Sequence, residues 1–307
     1  MIQTCLFKLR ILIWCIHPRH LARGAKVYYY DLIRMTSNFL GIPAVKSAVA
    51  QAVILPVPFE VTTSYGHGTK NGPQAIIEAS HQIELYDPEW GDEIQNLVEI
   101  STERVVFGNR SNIAKTACRF TSSFLIALGG EHSITPELIK PLKERYPDLS
   151  VLQIDAHTDM HDSYDGSRFS HACAMRRVQE NGIKNIVQVG VRNTAKEEQR
   201  FLRPENIFWG DTVDPKTILN KLSNNVYISF DVDGLDPSIM PATGTPEPGG
   251  LSYAQALLLL RDVTQKKNVV AADFVELAPI KGLHSCEFLV AKLIYKLIGY
   301  KFISHLL

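Results

Sequence analysis

The chain has 307 residues, with 32 basic and 32 acidic side chains, a formal net charge of zero and 45% hydrophobic residues. This composition is typical of globular proteins and excludes a disordered chain, which would have fewer apolar residues and a larger net charge. Without a basic excess, nucleic-acid binding is not expected. The five scattered cysteines form no CxxC pair. They exclude a disulfide framework and a cysteine zinc site, and they favour a cytoplasmic protein with reduced thiols.

The first 34 residues differ from the rest of the chain. They contain six basic residues and one acidic residue, Asp31, and their apolar run Ile11–Ile16 is far shorter than the roughly 20 residues of a membrane helix. A secretory signal would need a clearer cleavage site, and a transit peptide would be richer in Ser. We favour translation from an upstream start, with Met35 as the natural initiator, because globular patterning begins just after it. We therefore predict an N-terminal extension at 1–34, a single catalytic domain at 35–307 and no membrane association.

From residue 46 onward, short apolar runs alternate with helical segments. Strands are predicted at Ala52–Val57, Phe124–Leu128, Ser150–Ile154, Asn185–Val191, Val226–Phe230 and Val269–Phe274. Helices are predicted at Pro73–Ser80, Pro136–Tyr146, Ala172–Asn181, Pro215–Leu222, Tyr253–Lys266 and Cys286–Ile298, with Ser252 as an N-cap. Most of the strand runs are continuously apolar, as expected for strands covered on both faces. The alternation predicts an α/β fold with a doubly wound parallel sheet.

Polar side chains follow four of these strands directly. The segments are Gly129–Ser133, Asp155–Asp159, Asp231–Gly234 and the single residue Glu276. In open parallel sheets, ligands bind beyond the carboxyl ends of the strands. The four segments therefore predict a site at that edge of the sheet.

The spacing within these segments indicates a metal site. On an extended backbone, residues two apart point to one face, so Asp155, His157 and Asp159 would converge. Asp231 and Asp233 repeat the pattern, and His132 adds an imidazole from a third strand end. An isolated Asp-x-Asp is usually a loop or capping feature, but four converging carboxylates repel one another unless cations neutralise them. Two divalent ions would do so, and oxygen-rich ligands without thiolate favour Mn²⁺ over Zn²⁺, although ligand type alone does not decide the metal.

These segments resemble the motifs of the ureohydrolases, the arginase and agmatinase family, and look most like those of bacterial-type agmatinases. The matching motifs are Gly129–Ser133 (GGEHS), Asp155–Asp159 (DAHTD), Ser229–Pro237 (SFDVDGLDP), Gly244–Leu251 (GTPEPGGL) and Ser64–Ala75 (SYGHGTKNGPQA). The resemblance spans about residues 36 to 300. It implies a three-layer α/β/α sandwich around a mainly parallel eight-stranded sheet.

The resemblance also implies a binuclear Mn²⁺ site. One ion would be held by His132, Asp155, Asp159 and Asp231, and the other by Asp155, His157, Asp231 and Asp233. Two adjacent divalent ions lower the pKa of a bridging water, and the resulting hydroxide would attack the guanidinium carbon. By the same resemblance Glu276 would bind the guanidinium, His171 would pass a proton to the leaving amine, and Thr245 would border the substrate.

The predicted reaction is hydrolysis of agmatine to putrescine and urea. Arginases typically carry Ser-Gly-Asn-Leu-His-Gly around the shuttle histidine, whereas Gly166–Ala172 lacks the Asn and looks agmatinase-like. Guanidinobutyrate, guanidinopropionate and arginine remain alternatives, and Arg168 could favour an acidic substrate tail.

Two other interpretations fit the sequence less well. A zinc-dependent deacetylase would use one ion and usually a His-His pair, which does not match six ligands. A non-catalytic relative would typically have lost ligands or the proton shuttle, and none is missing here. The family commonly forms trimers or hexamers, so we expect a homo-oligomer.

Overall fold

The computed structural model describes residues 38–303, and the prediction made for residues 1–34 lies outside them. The main sheet has eight strands. In chain order these are β1 Ala52–Val57, β2 Ile100–Thr102, β3 Phe124–Gly129, β4 Ser150–Ile154, β5 Ile186–Val191, β6 Ile207–Trp209, β7 Asn225–Asp231 and β8 Asn268–Val275. All six predicted strands are present. The two strands that were not predicted, β2 and β6, are only three residues long.

The spatial order of the strands is β2-β1-β3-β8-β7-β4-β5-β6, and every pairing in this sheet is parallel. β2 and β6 are the edge strands, whereas β3, β8, β7 and β4 are four consecutive strands at the centre. These four are the strands that the polar segments follow. Their carboxyl ends therefore lie side by side.

Seven helices within the described range cover the sheet. They are α1 Gly72–Ser80, α2 Arg110–Ala117, α3 Thr135–Arg145, α4 Ala174–Glu180, α5 Pro215–Lys221, α6 Tyr253–Lys266 and α7 Ser285–Phe302. Two separate apolar cores identify the layers: α1, α5, α6 and α7 pack on one face of the sheet, and α2, α3 and α4 on the other. The predicted three-layer α/β/α fold is confirmed.

Local sequence explains where several helices begin. The side chain of Ser252 accepts a hydrogen bond from the backbone N–H of Gln255 and caps α6, as predicted. Asn109 caps α2 in the same way, but the eight residues of this helix are mostly polar and their pattern did not predict it. The predicted helix 172–181 is shorter than expected, because His171–Cys173 form a 3₁₀ turn before α4 begins.

A two-stranded antiparallel ribbon, Tyr86–Asp87 with Asp92–Glu93, lies outside the main sheet. None of the helices between residues 38 and 303 has the length and apolar character needed to cross a membrane.

Candidate active site

A cavity of about 290 Å³ opens at the carboxyl ends of the central strands. Its lining includes eight of the nine predicted site residues: His132, His157, Asp159, His171, Asp231, Asp233, Thr245 and Glu276. The ninth, Asp155, is buried and contacts both His132 and His157. The structure therefore brings all nine predicted residues to one site.

The inner group consists of His132 with Asp155, Asp159 and Asp231. The Nδ1 atom of His132 lies 3.1 Å from Asp155 Oδ2, 2.9 Å from Asp159 Oδ2 and 3.3 Å from Asp231 Oδ2. Only 1% of the His132 side chain is exposed. Three strand ends thus direct one imidazole nitrogen and three carboxylates at a single buried point.

The outer group consists of His157 with Asp155 and Asp233. The Nδ1 atom of His157 lies 3.0 Å from Asp233 Oδ2 and 3.6 Å from Asp155 Oδ1, and 26% of this side chain is exposed. Asp155 gives one oxygen to each group. Asp231 presents Oδ2 to the inner group, while its Oδ1 accepts a hydrogen bond from the backbone N–H of Asp233.

The electrostatics of these groups fit divalent cations. Burial and the neighbouring charges of Asp233 and Asp155 raise the pKa of Asp231 well above its usual range. Burial alone would lower the pKa of His157, but the charge and hydrogen bonds of Asp233 and Asp155 raise it to about 12. His132 Nδ1 is buried and has no hydrogen-bond partner, although three carboxylate oxygens lie within 3.3 Å of it. An imidazole nitrogen without a hydrogen-bond partner, enclosed by carboxylates, is a donor set suited to a metal ion.

Buried residues orient the inner histidine from behind. His132 Nε2 lies 2.9 Å from Ser229 Oγ, and this hydroxyl donates to Asp273 Oδ1 at 2.8 Å. Tyr227 and Thr135 also donate to Asp273, which is fully buried. Such a chain holds an imidazole ring in one orientation and leaves Nδ1 to face the carboxylates.

Glu276 contacts the inner group through the backbone of His132. Its Oε1 accepts a hydrogen bond of 2.6 Å from the backbone N–H of His132. Burial raises the pKa of Glu276 to about 8, and the charges of Glu131 and Asp233 act in the same direction. A cation bound beside it would therefore favour its ionised form.

Two of the site residues have left-handed backbone conformations. Asp159 has φ 51° and Glu276 has φ 64°. Side chains other than Gly rarely adopt this region, and such residues concentrate at functional sites. No feature of the sequence indicated this conformation.

The chain is similar in sequence to known proteins. The sequence model of the arginase family matches residues 50–299 of this chain. The chain belongs to the arginase family. It is 37% identical over 286 residues to the N(1)-aminopropylagmatine ureohydrolase of Synechocystis sp., covering 86% of this chain and 93% of the relative. It is 34% identical to the agmatinase of Pyrococcus horikoshii, covering 84% and 94%.

The fold of solved arginase-family structures agrees with this assignment. The agmatine ureohydrolase of Thermoplasma volcanium superposes with a TM-score of 0.70 at 28% identity, over 89% of this chain and 97% of that one. This chain is thus an arginase-family ureohydrolase, and its His/Asp cluster indicates a metal cofactor.

The predictions missed several residues around this ureohydrolase site. Glu131 lies within the predicted GGEHS segment, yet only its neighbour His132 was singled out. Asn193 and Glu247 line the cavity and hydrogen-bond to each other at 3.0 Å. Arg168, considered for an acidic substrate tail, does not line the cavity and instead pairs with Glu180 at 2.9 Å.

Proposed function

We propose that this ureohydrolase cleaves the guanidino group of agmatine, giving putrescine and urea. The observation that carries the proposal is the placement of two His/Asp groups, Glu276 and His171 around one cavity. A guanidinium carbon is a poor electrophile because its charge is delocalised. Catalysis therefore needs a strong nucleophile, a fixed negative charge beside the substrate and a proton for the leaving amine.

The two groups would hold two Mn²⁺ ions. His132, Asp155, Asp159 and Asp231 would bind one ion, and Asp155, His157, Asp231 and Asp233 the other. When bound, such a pair supplies a water activated at neutral pH. The protein's part is to bring four carboxylates together with two imidazoles, a set of charges that favours divalent cations.

Glu276 would bind and orient the guanidinium. Its carboxylate lines the cavity and is held by the backbone N–H of His132, so it lies next to the inner group. His171, on the 3₁₀ turn before α4, would donate a proton to the departing amine. Thr245 also lines the cavity and would border the substrate.

The charge of the cavity favours a substrate with a cationic tail. Among the described residues that line it, none is Lys or Arg, whereas Glu247 and Glu198 are acidic. Glu198 is occupied by the backbone N–H groups of Met160 and Ala195, which leaves Glu247 as the acid placed to meet an ammonium. A carboxylate tail, as in guanidinobutyrate or the α-carboxylate of arginine, would find no Lys or Arg partner among these lining residues.

N(1)-aminopropylagmatine is a second candidate substrate. It shares the guanidinobutyl portion of agmatine and also carries cationic nitrogens beyond it. The relative with 37% identity over 286 residues bears that substrate in its name. An acidic, open end of the cavity would accept either compound.

Urea release from the Mn²⁺-loaded full chain tests this proposal. Agmatine, N(1)-aminopropylagmatine, arginine and guanidinobutyrate should be compared at equal concentration. We expect turnover of one or both of the first two compounds and little of the others. A preference for arginine or guanidinobutyrate would contradict the argument from cavity charge, while the absence of urea from all four would contradict the proposed substrate class.

A further inference from the structure

His171 is held by a hydroxyl from a distant part of the chain. The backbone N–H of His171 donates to Thr62 Oγ1 at 3.0 Å, and the imidazole Nδ1 lies 3.4 Å from the same oxygen. Ser170 Oγ also lies 3.4 Å from Nδ1. Thr62 therefore contacts both the backbone and the ring of the residue proposed to deliver the proton.

Glu131 in turn holds Thr62. Its Oε2 accepts hydrogen bonds from the backbone N–H groups of Val61 at 2.6 Å and Thr62 at 2.5 Å, and its Oε1 accepts the Thr62 hydroxyl at 2.8 Å. The hydroxyl of Ser133 donates to the same Oε1. Glu131 is fully buried, and its contacts engage both carboxylate oxygens.

These contacts determine which way the hydrogens point. A carboxylate only accepts hydrogen bonds, so the single hydroxyl hydrogen of Thr62 is directed at Glu131. Towards His171, Thr62 Oγ1 can then act only as an acceptor. Nδ1 of His171 can hydrogen-bond to this oxygen when it carries the ring hydrogen of the neutral imidazole. Nε2 is then the nitrogen that exchanges a proton.

We propose that Glu131 and Thr62 are positioning residues for His171, which hold its imidazole in one orientation with the hydrogen on Nδ1. This inference rests on the proposed role of His171 as the proton donor to the leaving amine. Neither residue touches the reacting atoms in this scheme. Their effect passes through the ring of His171.

Glu131 has a second effect through the loop that it anchors. Val61 and Thr62 lead into Thr63–Gly66, which lines the cavity. Gly66 packs so closely on Gly244 that an added Cβ would lie 2.6 Å from the Gly244 Cα. Loss of the Glu131 anchor would therefore disturb the substrate wall as well as His171, whereas loss of the Thr62 hydroxyl alone would leave the two backbone N–H bonds in place.

The test compares Thr62→Val with Thr62→Ser. Val has the shape of Thr without its hydroxyl, and Ser retains the hydroxyl. We expect Thr62→Val to lower kcat for urea release by about 10- to 100-fold, part of what general acid catalysis contributes, with KM changed by less than about twofold. Thr62→Ser, which keeps the hydroxyl, should retain most of the wild-type kcat. Glu131→Gln, which turns an amide towards backbone donors, should lower kcat and also raise KM.

Thr116→Val is the matched control, because this half-buried residue on α2 donates its hydroxyl hydrogen within its own helix, to Asn112 O, far along the chain from Thr62 and His171. Bound metal should be measured in every variant and should be unchanged in Thr62→Val. Equal kcat in Thr62→Val and wild type, or failure of Thr62→Ser to recover activity, would overturn the proposal.

Crystal structures of wild type and Thr62→Val give a readout that does not depend on turnover. We expect the His171 ring to rotate or to occupy two positions in Thr62→Val while Glu131 remains in place. An unchanged ring would overturn the positioning role even if the wild type released no urea. An inactive wild type would contradict only the proposed function and would leave the positioning role to be judged from the ring.

Discussion

The inner and outer groups use the same side-chain chemistry in different surroundings. His132 is 1% exposed and faces three carboxylates, whereas His157 is 26% exposed and faces two. The far nitrogen of His132 is tied to Ser229 and, through it, to buried Asp273. Both histidines line the cavity, but far more of the His157 side chain is exposed to it.

This difference indicates separate tasks for the two positions. The inner group is buried and is backed by Ser229 and Asp273, so we expect its geometry to change little when a cation binds. The outer group is closer to solvent and depends on Asp155, which it shares with the inner group. We therefore expect a tightly held inner cation and an outer cation that exchanges more readily.

Replacing the shared carboxylate should have the largest effect. Asp155→Asn removes a ligand from both groups, and we expect urea release to fall by about 10³-fold or more, with metal content well below that of wild type. Metal analysis and steady-state kinetics would show this. Circular dichroism would establish that the variant is folded. Normal loading with two cations would contradict the role of Asp155 as a common ligand.

Replacing a residue of the outer group should show whether the two cation positions differ in affinity. Asp233→Asn should leave a folded protein that retains about one cation per chain and loses about 10²-fold in activity. Asp159→Asn is the matched inner change and should reduce the affinity of the more tightly held cation. If both variants lost their cations in the same order and to the same extent, the distinction between inner and outer positions would be wrong.

Disturbing the support of His132 should have a smaller effect that is confined to the inner position. Ser229→Ala breaks the contact between His132 Nε2 and Asp273, and affinity for the tighter cation should fall by about 10-fold. Calorimetric titration of metal-free protein would measure it. Ser223→Ala, at the opposite end of the sheet near Ser150, provides the control. An equal effect on both cations would show that Ser229 supports the whole site.

Acidification should weaken cation binding because protons compete for the same ligands. In the metal-free protein, burial alone would lower the pKa of both imidazoles. The neighbouring carboxylates outweigh this effect: they raise the pKa of His132 well above its usual value and that of His157 to about 12. The His157 imidazole is then protonated at pH 8 and must lose its proton to bind metal. The affinity for the cation at His157 should therefore fall by about tenfold per pH unit on acidification, and its binding should release a measurable proton. No proton release at pH 8 would contradict these pKa shifts.

Much of the fold and the predicted site could be read from the sequence, because long buried strands and polar residues at their ends leave strong local patterns. The three-residue edge strands β2 and β6 are too short to show a period, and the polar α2 lacks an apolar stripe. Glu131 and Thr62 were missed for another reason. Their contacts join residues 69 and 109 positions apart, and only the folded chain brings these together.

The left-handed backbone at Glu276 has a consequence for thermal stability. This conformation costs about 1–2 kcal/mol for an L-residue and almost nothing for Gly. The buried carboxylate adds to the cost through desolvation and repulsion by its acidic neighbours. Glu276→Gly in the metal-free protein should therefore melt at a higher temperature than the wild type while releasing no urea. The fold would then be more durable without the residue that its proposed chemistry requires, and a search for heat-resistant variants by stability alone would select against activity.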